Sequence, residues 1–195
     1  MNRVVARAGV VLLVCLWAAA CQLKRPDTTP ARMLEPQLLE PQLPATPATD
    51  GSAADAVPVR LLDTQARGHI GRRLLYQQAS GELTEDPIWR WSLSPDRYLD
   101  TAIRLEVASS PRLRLVDIAG APSIAATLVV WYLEPAPASR LLGAVQFEFT
   151  RKDGVVKSYV AQASEPVSST LPGDLAVVSG RLMRKLAGDG LMRVP

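Results

Sequence analysis

The sequence has few of the side chains on which catalytic and metal sites depend. Its 195 residues include one histidine, His69, and two cysteines, and aromatic residues make up only 5%. A single histidine cannot build the usual imidazole metal sites, and His69 lies in a Gly-flanked stretch typical of a solvated turn. The chain also has no Gly-x4-Gly-Lys-Ser/Thr nucleotide loop and no convincing catalytic pair of carboxylates. We therefore expect a protein that is not an enzyme and that carries no metal and no cofactor.

Both cysteines, Cys15 and Cys21, lie in the most apolar window of the chain. Arg3 and Arg7 precede Ala8–Ala20, which contains no charged residue and ends in three alanines. A basic start, an apolar centre and small residues before a cleavage point are typical of a secretory signal. An apolar run of about 13 residues is shorter than the ~20 that span a bilayer as a helix, which disfavours an uncleaved membrane anchor. Residues 1–20 are thus predicted to be a signal peptide.

The end of this window, Trp17-Ala18-Ala19-Ala20-Cys21, resembles a bacterial lipobox. The resemblance implies that the Cys21 thiol is diacylated, that the signal is cut after Ala20, and that the new amino terminus is acylated in turn. Several acyl chains give stable anchoring, since each buried CH₂ contributes ~0.8 kcal/mol. Gln22 stands where an aspartate would retain such a lipoprotein in the inner membrane. We expect a palmitate-type lipid anchor on Cys21, at the periplasmic face of the outer membrane.

Residues 21–56 are predicted to be a disordered, Pro-rich tether. They hold six prolines between residues 26 and 47, no aromatic residue, and a tandem repeat in which Leu34–Leu38 and Leu39–Leu43 are both Leu-Glu-Pro-Gln-Leu. Such prolines break helices and favour extended chain. Over this length, at ~3.1 Å per residue, the tether would reach ~100 Å. The repeat is interpreted either as a spacer or as a docking motif.

Loss of residues 1–20 also changes the charge balance. Two of the 22 basic residues and none of the 19 acidic residues lie in that segment, so the mature chain has 20 basic residues and a net charge of +1. This balance gives no reason to expect a nucleic-acid partner.

Residues 57–195 show the periodicities of a folded α+β domain. Alternating or continuous apolar patterns predict strands, and the Asp153-Gly154 turn predicts that the last two are neighbours in an antiparallel hairpin. Residues 123–134 are the most apolar strand and are expected at the centre, with residues 113–118 as a shorter partner. The expected strands are residues 57–64 and 73–78, joined by a turn at residues 66–71, and residues 113–118, 123–134, 141–150 and 155–163.

Two helices complete the predicted domain. One starts at Pro95 after a Ser94 cap and ends near Ser109, and the other is expected to end at Gly188. Each shows a single apolar face, formed by Leu99, Ala102, Ile103 and Val107 in the first helix and by Leu175, Val178, Leu182 and Leu186 in the second. The simplest architecture is a mainly antiparallel sheet with both helices packed on one face. Trp89, Trp91 and Tyr98 are the candidates for a partner interface or for a lid over the core.

The domain resembles the ABC-type transport auxiliary lipoproteins, the group that includes the PqiC-like lipoproteins. The matching features are a strand ending in Arg90-Trp91 followed by Pro95 and Leu99, a hairpin Phe147-x-Phe149-x-x-x-Asp153-Gly154, and a closing helix with Leu182 and Leu186. Members of the group also begin with a lipobox. The resemblance implies an auxiliary component, without enzymatic activity, of a system in which MCE-domain proteins, a permease and an ATPase move lipids or hydrophobic compounds across the envelope.

Three function classes follow from these observations. The first is a transport auxiliary that docks a periplasmic MCE-domain partner, with homo-oligomers as an open alternative to a single copy. The second is an outer-membrane assembly or structural lipoprotein that binds a β-barrel. The third is a hydrolase, which would need His69 for acid–base chemistry.

Overall fold

Nine strands and two helices make up the described part of the chain, which in this computed structural model comprises residues 30–38, 56–134, 139–169 and 172–194. The predicted signal peptide, Ala20, Cys21 and most of the tether lie outside the described residues. The strands are β1 (Arg32–Leu34), β2 (Val57–Leu61), β3 (Gln65–Ala66), β4 (Arg73–Gln77), β5 (Leu83–Trp91), β6 (Leu113–Leu115), β7 (Ser123–Glu134), β8 (Arg140–Thr150) and β9 (Val156–Pro166). The helices are α1 (Pro95–Ser109) and α2 (Pro172–Leu191).

Strand β7 lies at the centre of the sheet, as its apolar sequence predicted. It pairs along its whole length with β8, and β8 pairs along its whole length with β9, both antiparallel. The turn between β8 and β9 places Gly154 at φ 81°, a left-handed conformation that glycine adopts without strain. The predicted antiparallel hairpin is therefore confirmed.

The other edge of β7 pairs with strands that run parallel to it. β2, β3 and β4 each contribute a short parallel pairing to β7, while β5 pairs antiparallel with β4. The sheet is thus mixed, although its long ladders are antiparallel, and the α+β class is confirmed. β6 pairs in parallel with β2. The expectation that it is the shorter partner of β7 is wrong, because β2 lies between them.

A β-bulge in β7 decides which of its side chains face the core. Leu128 pairs with Val145 and Val130 with Ala144, so Val129 is an extra residue on β7. The bulge shifts the alternation by one position, so that Leu128 and Trp131 both face inward and both are buried.

Both helices pack on one face of the sheet and against each other. The predicted apolar faces are confirmed, since all eight of their residues are buried. α1 has Ser94 at its N-cap position as predicted, although the Ser94 hydroxyl makes no cap hydrogen bond. α2 continues past Gly188 to Leu191, so its predicted end is three residues short.

The first strand corrects the tether prediction. β1 lies inside residues 21–56, yet it pairs in parallel with β5, and Leu34 is 1% exposed within the core. At residues 32–38 the prediction of a disordered tether is wrong, because the core and α2 offer this segment a buried place that its own sequence does not reveal.

Candidate functional site at the tether junction

The candidate site lies where the chain that follows residue 21 first joins the folded domain. β1 runs alongside the end of β5, with Arg32 beside Trp89 and Leu34 beside Trp91. The Leu34 carbonyl accepts a hydrogen bond of 2.8 Å from the Ser92 N–H. The Arg32 guanidinium lies 5.5 Å from the centre of the Trp89 ring, a cation–π contact worth ~0.5–1 kcal/mol at an exposed site. The entering chain is therefore held by backbone pairing, by a buried leucine and by a cation–π contact.

The next residues lie against helix α2. The Gln37 N–H donates a 2.9 Å hydrogen bond to the Ala176 carbonyl, and Leu38 packs against the core. The Gln37 carbonyl comes so close to Gly180 that a Cβ atom built there would be 1.8 Å from it. Glycine is therefore required at position 180 for this contact. We call residues 34–38, the first copy of the tandem repeat, the docked segment.

The docked segment shortens the distance over which the domain can stand away from its predicted lipid. If Cys21 is the anchor, the chain between it and β1 is residues 22–31. Ten residues at no more than ~3.3–3.6 Å each reach about 35 Å, compared with the ~100 Å expected for the whole of residues 22–56. Residues 39–55 then link the docked segment to β2 and add nothing to this reach.

The three aromatic candidates lie together at this junction but differ in exposure. Trp91 is completely buried and packs against Trp131, with ring centroids 5.9 Å apart. Trp89, on the same face, is half-buried, and Tyr98 from α1 is buried. Trp91 and Tyr98 are thus core residues, and Trp89 is the member of the set that reaches the surface.

Tyr98 and Arg72 hold the loop that connects β5 to α1. The Tyr98 hydroxyl shares a hydrogen bond with the Ser92 hydroxyl and accepts one of 3.2 Å from the Leu93 N–H. The Arg72 guanidinium donates to the carbonyls of Trp91, at 3.2 Å, and Ser92. These bonds position the loop beside β1, so that the surface around Trp89 is built on ordered backbone.

Asp86 orders the middle of β5 and influences a neighbouring tyrosine. Its carboxylate accepts hydrogen bonds of 2.7 Å from the N–H groups of both Ile88 and Trp89. Burial, together with the Asp86 charge and a hydrogen bond to it, raises the pKa of Tyr76 to about 12. Tyr76 is therefore a neutral hydrogen-bond donor at any physiological pH.

Two exposed apolar side chains flank the junction. Met33 in β1 is 57% exposed, and Leu93, in the loop after β5, is 54% exposed. We call these two side chains the junction patch. Met33 pairs with Arg90 and therefore points to the face of the sheet opposite to Trp89. Sequence reasoning missed Met33 and Leu93, because the pairing of β1 with β5 has no signal in either segment.

His69 and the possible metal-binding side chains are the remaining features that the sequence raised. His69 is exposed in the turn after β3. Within the described ranges, no group of three His, Cys, Asp or Glu side chains is placed to hold a metal ion. Nor is any helix in those ranges long and apolar enough to cross a membrane.

Comparison with known proteins found solved structures with a similar fold. A scan against protein-family models gave no match, and a search of curated proteins gave none either. The structure is similar to a crystal structure of a Xanthomonas campestris protein of the family model DUF330, with a TM-score of 0.65, 15% identity, and coverage of 81% of this chain and 91% of that one. It is also similar to an uncharacterised protein (TM-score 0.59, 8% identity, coverage of 71% and 92%) and to a hypothetical protein of Chlamydia trachomatis (TM-score 0.54, 13% identity, coverage of 71% and 95%). At these identities the likeness concerns the fold alone.

Proposed function

We propose that this chain is a lipid-anchored periplasmic protein of the outer membrane that serves as a non-enzymatic auxiliary of an MCE/ABC-type transport system. In this role the lipid on Cys21 holds the domain at the membrane, and the domain docks a periplasmic MCE-domain partner that carries lipids or hydrophobic compounds. The lipobox and the family resemblance support the anchor and the partner class. The fold shared with a DUF330 protein is compatible with both.

The observation that carries the proposal is the fixed junction between tether and domain. Because β1 is paired with β5, the tether joins the domain at a fixed place beside these two strands. With ten residues between the predicted lipid and β1, the start of β1 can lie no more than about 35 Å from the anchor. A short link of this kind suits a protein that binds its partner close to the membrane.

The junction patch is the surface that we assign to the partner. Met33 and Leu93 are apolar side chains exposed on ordered backbone, and Met side chains are enriched at protein interfaces.

Affinity purification from the native membranes tests this function. Full-length chain with a C-terminal tag is extracted in mild detergent, captured, and its partners identified by mass spectrometry. We expect an MCE-domain protein, and we expect Met33→Asp combined with Leu93→Asp to lower its recovery about tenfold, as for the loss of a modest interface hot spot. Ile118→Asp is the matched control, because Ile118 is 62% exposed in a different part of the surface.

The other outcomes distinguish the remaining function classes. Recovery of a β-barrel protein in place of an MCE-domain protein would favour the assembly or structural role. If neither is recovered, or if the control variant loses the partner as strongly as the patch variant, the proposed docking role is wrong. A hydrolase activity that disappears in His69→Ala would likewise contradict the non-enzymatic role.

A further inference from the structure

Strand β9 is a long sheet edge. It has 11 residues and, in the part of the chain that the structure describes, pairs only with β8. Most of its side chains are exposed, with Val160 at 50% and Val156 at 56%. An edge strand of this length presents unpaired N–H and C=O groups along one side, which is a template for pairing with another strand.

We propose that the free edge of β9 pairs with β9 of a second copy of this chain, antiparallel and about a twofold axis. Such an isologous contact uses the same strand on both copies, so that each residue contact occurs twice. It would join the two sheets into one that continues through β8 and β7 of each copy. The occupant is a second copy because the strand is complementary to itself in charge and in size.

The charge pattern of β9 selects one register. Opposed residues of an antiparallel pair lie on the same face, so the two copies must be aligned on residues of equal parity. The alignment that pairs the strand over its full length sets Val156 against Pro166 of the other copy and places Ala161 on the twofold axis. That alignment also sets Lys157, the one base of β9, against Glu165, its one acid. The register that pairs the whole of β9 is therefore also the register that sets Lys157 against Glu165.

Side-chain size is complementary in the same register. Tyr159 is opposed by Ala163, which leaves room for the ring, and this pairing occurs twice. Tyr159 already stacks on Phe147 with centroids 5.6 Å apart, so its ring is fixed before a partner arrives.

The opposed charges remain available for the contact. Lys157 is exposed, while Glu165 is half-buried and forms a long ion pair, 4.0 Å, with the Lys185 ammonium. An additional Lys157 from the second copy would give this carboxylate a second cation. Among the short outer strands, β1 and β6 have three residues each and offer much less edge.

A zero-length crosslink between an amine and a carboxylate tests the register directly. Lys157 and Glu165 are eight residues apart on one strand, which is about 26 Å at ~3.3 Å per residue, so they cannot be joined within one chain. Full-length protein in detergent is treated with a carbodiimide and digested, and the peptides are identified by mass spectrometry. A Lys157–Glu165 crosslink is expected. Crosslinks of Lys157 to other acids without this one would overturn the register.

Charge reversal tests the dimer itself. Sedimentation of the full-length chain in reducing detergent buffer should show a dimer. Lys157→Glu should raise its dissociation constant at least tenfold, since it sets a carboxylate against Glu165 in both of the symmetry-related contacts. Lys157→Glu combined with Glu165→Lys should restore the dimer, whereas Glu148→Lys, one strand in from the edge, should leave it unchanged. Circular dichroism of each variant excludes unfolding.

Two results would refute the edge pairing. The first is a wild-type chain that stays monomeric up to hundreds of micromolar. The second is a dimer that is insensitive to Lys157→Glu, as expected for two copies that merely share a micelle through their lipids. Loss of the MCE partner in the purification described above would leave both measurements unaffected, so the two proposals fail independently.

Discussion

Replacement of Gly180 by alanine is expected to expel the docked segment while strengthening the helix that carries it. A Cβ atom at position 180 would be 1.8 Å from the Gln37 carbonyl oxygen and 2.5 Å from its carbon, whereas ordinary contact begins near 3.4 Å. Both clashing atoms belong to the backbone, so no rotamer change relieves them. The Gln37 carbonyl has to move by about 1.6 Å, which pulls the segment away from α2.

The magnitude follows from opposing contributions. Loss of the hydrogen bond from Gln37 to Ala176 costs ~0.5–1.5 kcal/mol, and exposure of Leu34 costs a further ~1.5–3 kcal/mol if the segment leaves completely. Alanine in place of glycine inside a helix returns ~0.5–1 kcal/mol. The expected net result is a loss of about 2 kcal/mol in the stability of the docked segment, which corresponds to amide exchange about thirtyfold faster.

Hydrogen exchange followed by mass spectrometry on residues 32–38 measures this effect. Gly188→Ala is the matched control, because Gly188 lies in the same helix and the nearest atom to its added Cβ is 3.9 Å away. The control should leave exchange in residues 32–38 unchanged and should stabilise the protein slightly. If Gly180→Ala stabilises the protein as the control does and leaves the exchange of residues 32–38 unchanged, the docked segment does not rest on α2 as described.

Three further perturbations have defined outcomes. Gly190→Ala should lower the free energy of unfolding by ~1–3 kcal/mol in chemical denaturation, because its Cβ would be 2.3 Å from the Phe147 ring; an unchanged midpoint would contradict this packing. Burial raises the pKa of both Tyr76 and Tyr159 to about 12, so the stability that the neutral phenols contribute is present below pH 10 and lost between pH 10 and about 12. Changing both tyrosines to phenylalanine should flatten this decline, and ionisation of every tyrosine near pH 10 in an absorbance titration would refute it. Cys21→Ser should leave the precursor unacylated and detach the domain from the outer membrane; palmitate label on that variant would show that the lipid is elsewhere.

Elements with a strong internal pattern could be predicted from the sequence. The apolar faces of both helices and the strands that became β7, β8 and β9 are visible as periodicities of 3.6 and 2 residues. The Asp153-Gly154 turn joins β8 to β9 without any need for distant contacts. These elements form the centre of the fold, which is why the α+β class could be predicted.

The junction could not be predicted, because residues 32–38 are held in place by residues far away in the sequence, in β5 and α2. β1 is three residues long in a Pro-rich segment, and the residues that follow buried Leu34 fit against α2 because Gly180 leaves space for the Gln37 backbone. The bulge at Val129 likewise changes which residues of β7 face inward without leaving a mark in a simple alternation. Of the three aromatic candidates, sequence could place Trp89 and Trp91 on one face but could not say which is exposed.

Photocrosslinking at the junction patch tests the central claim most directly. A photoreactive amino acid in place of Leu93 is introduced into the full-length chain in living cells, with the same substitution at Ile118 as the control. The docking role predicts a covalent adduct to an MCE-domain protein from position 93 and none from position 118. A β-barrel adduct, or equal adducts from both positions, would contradict it.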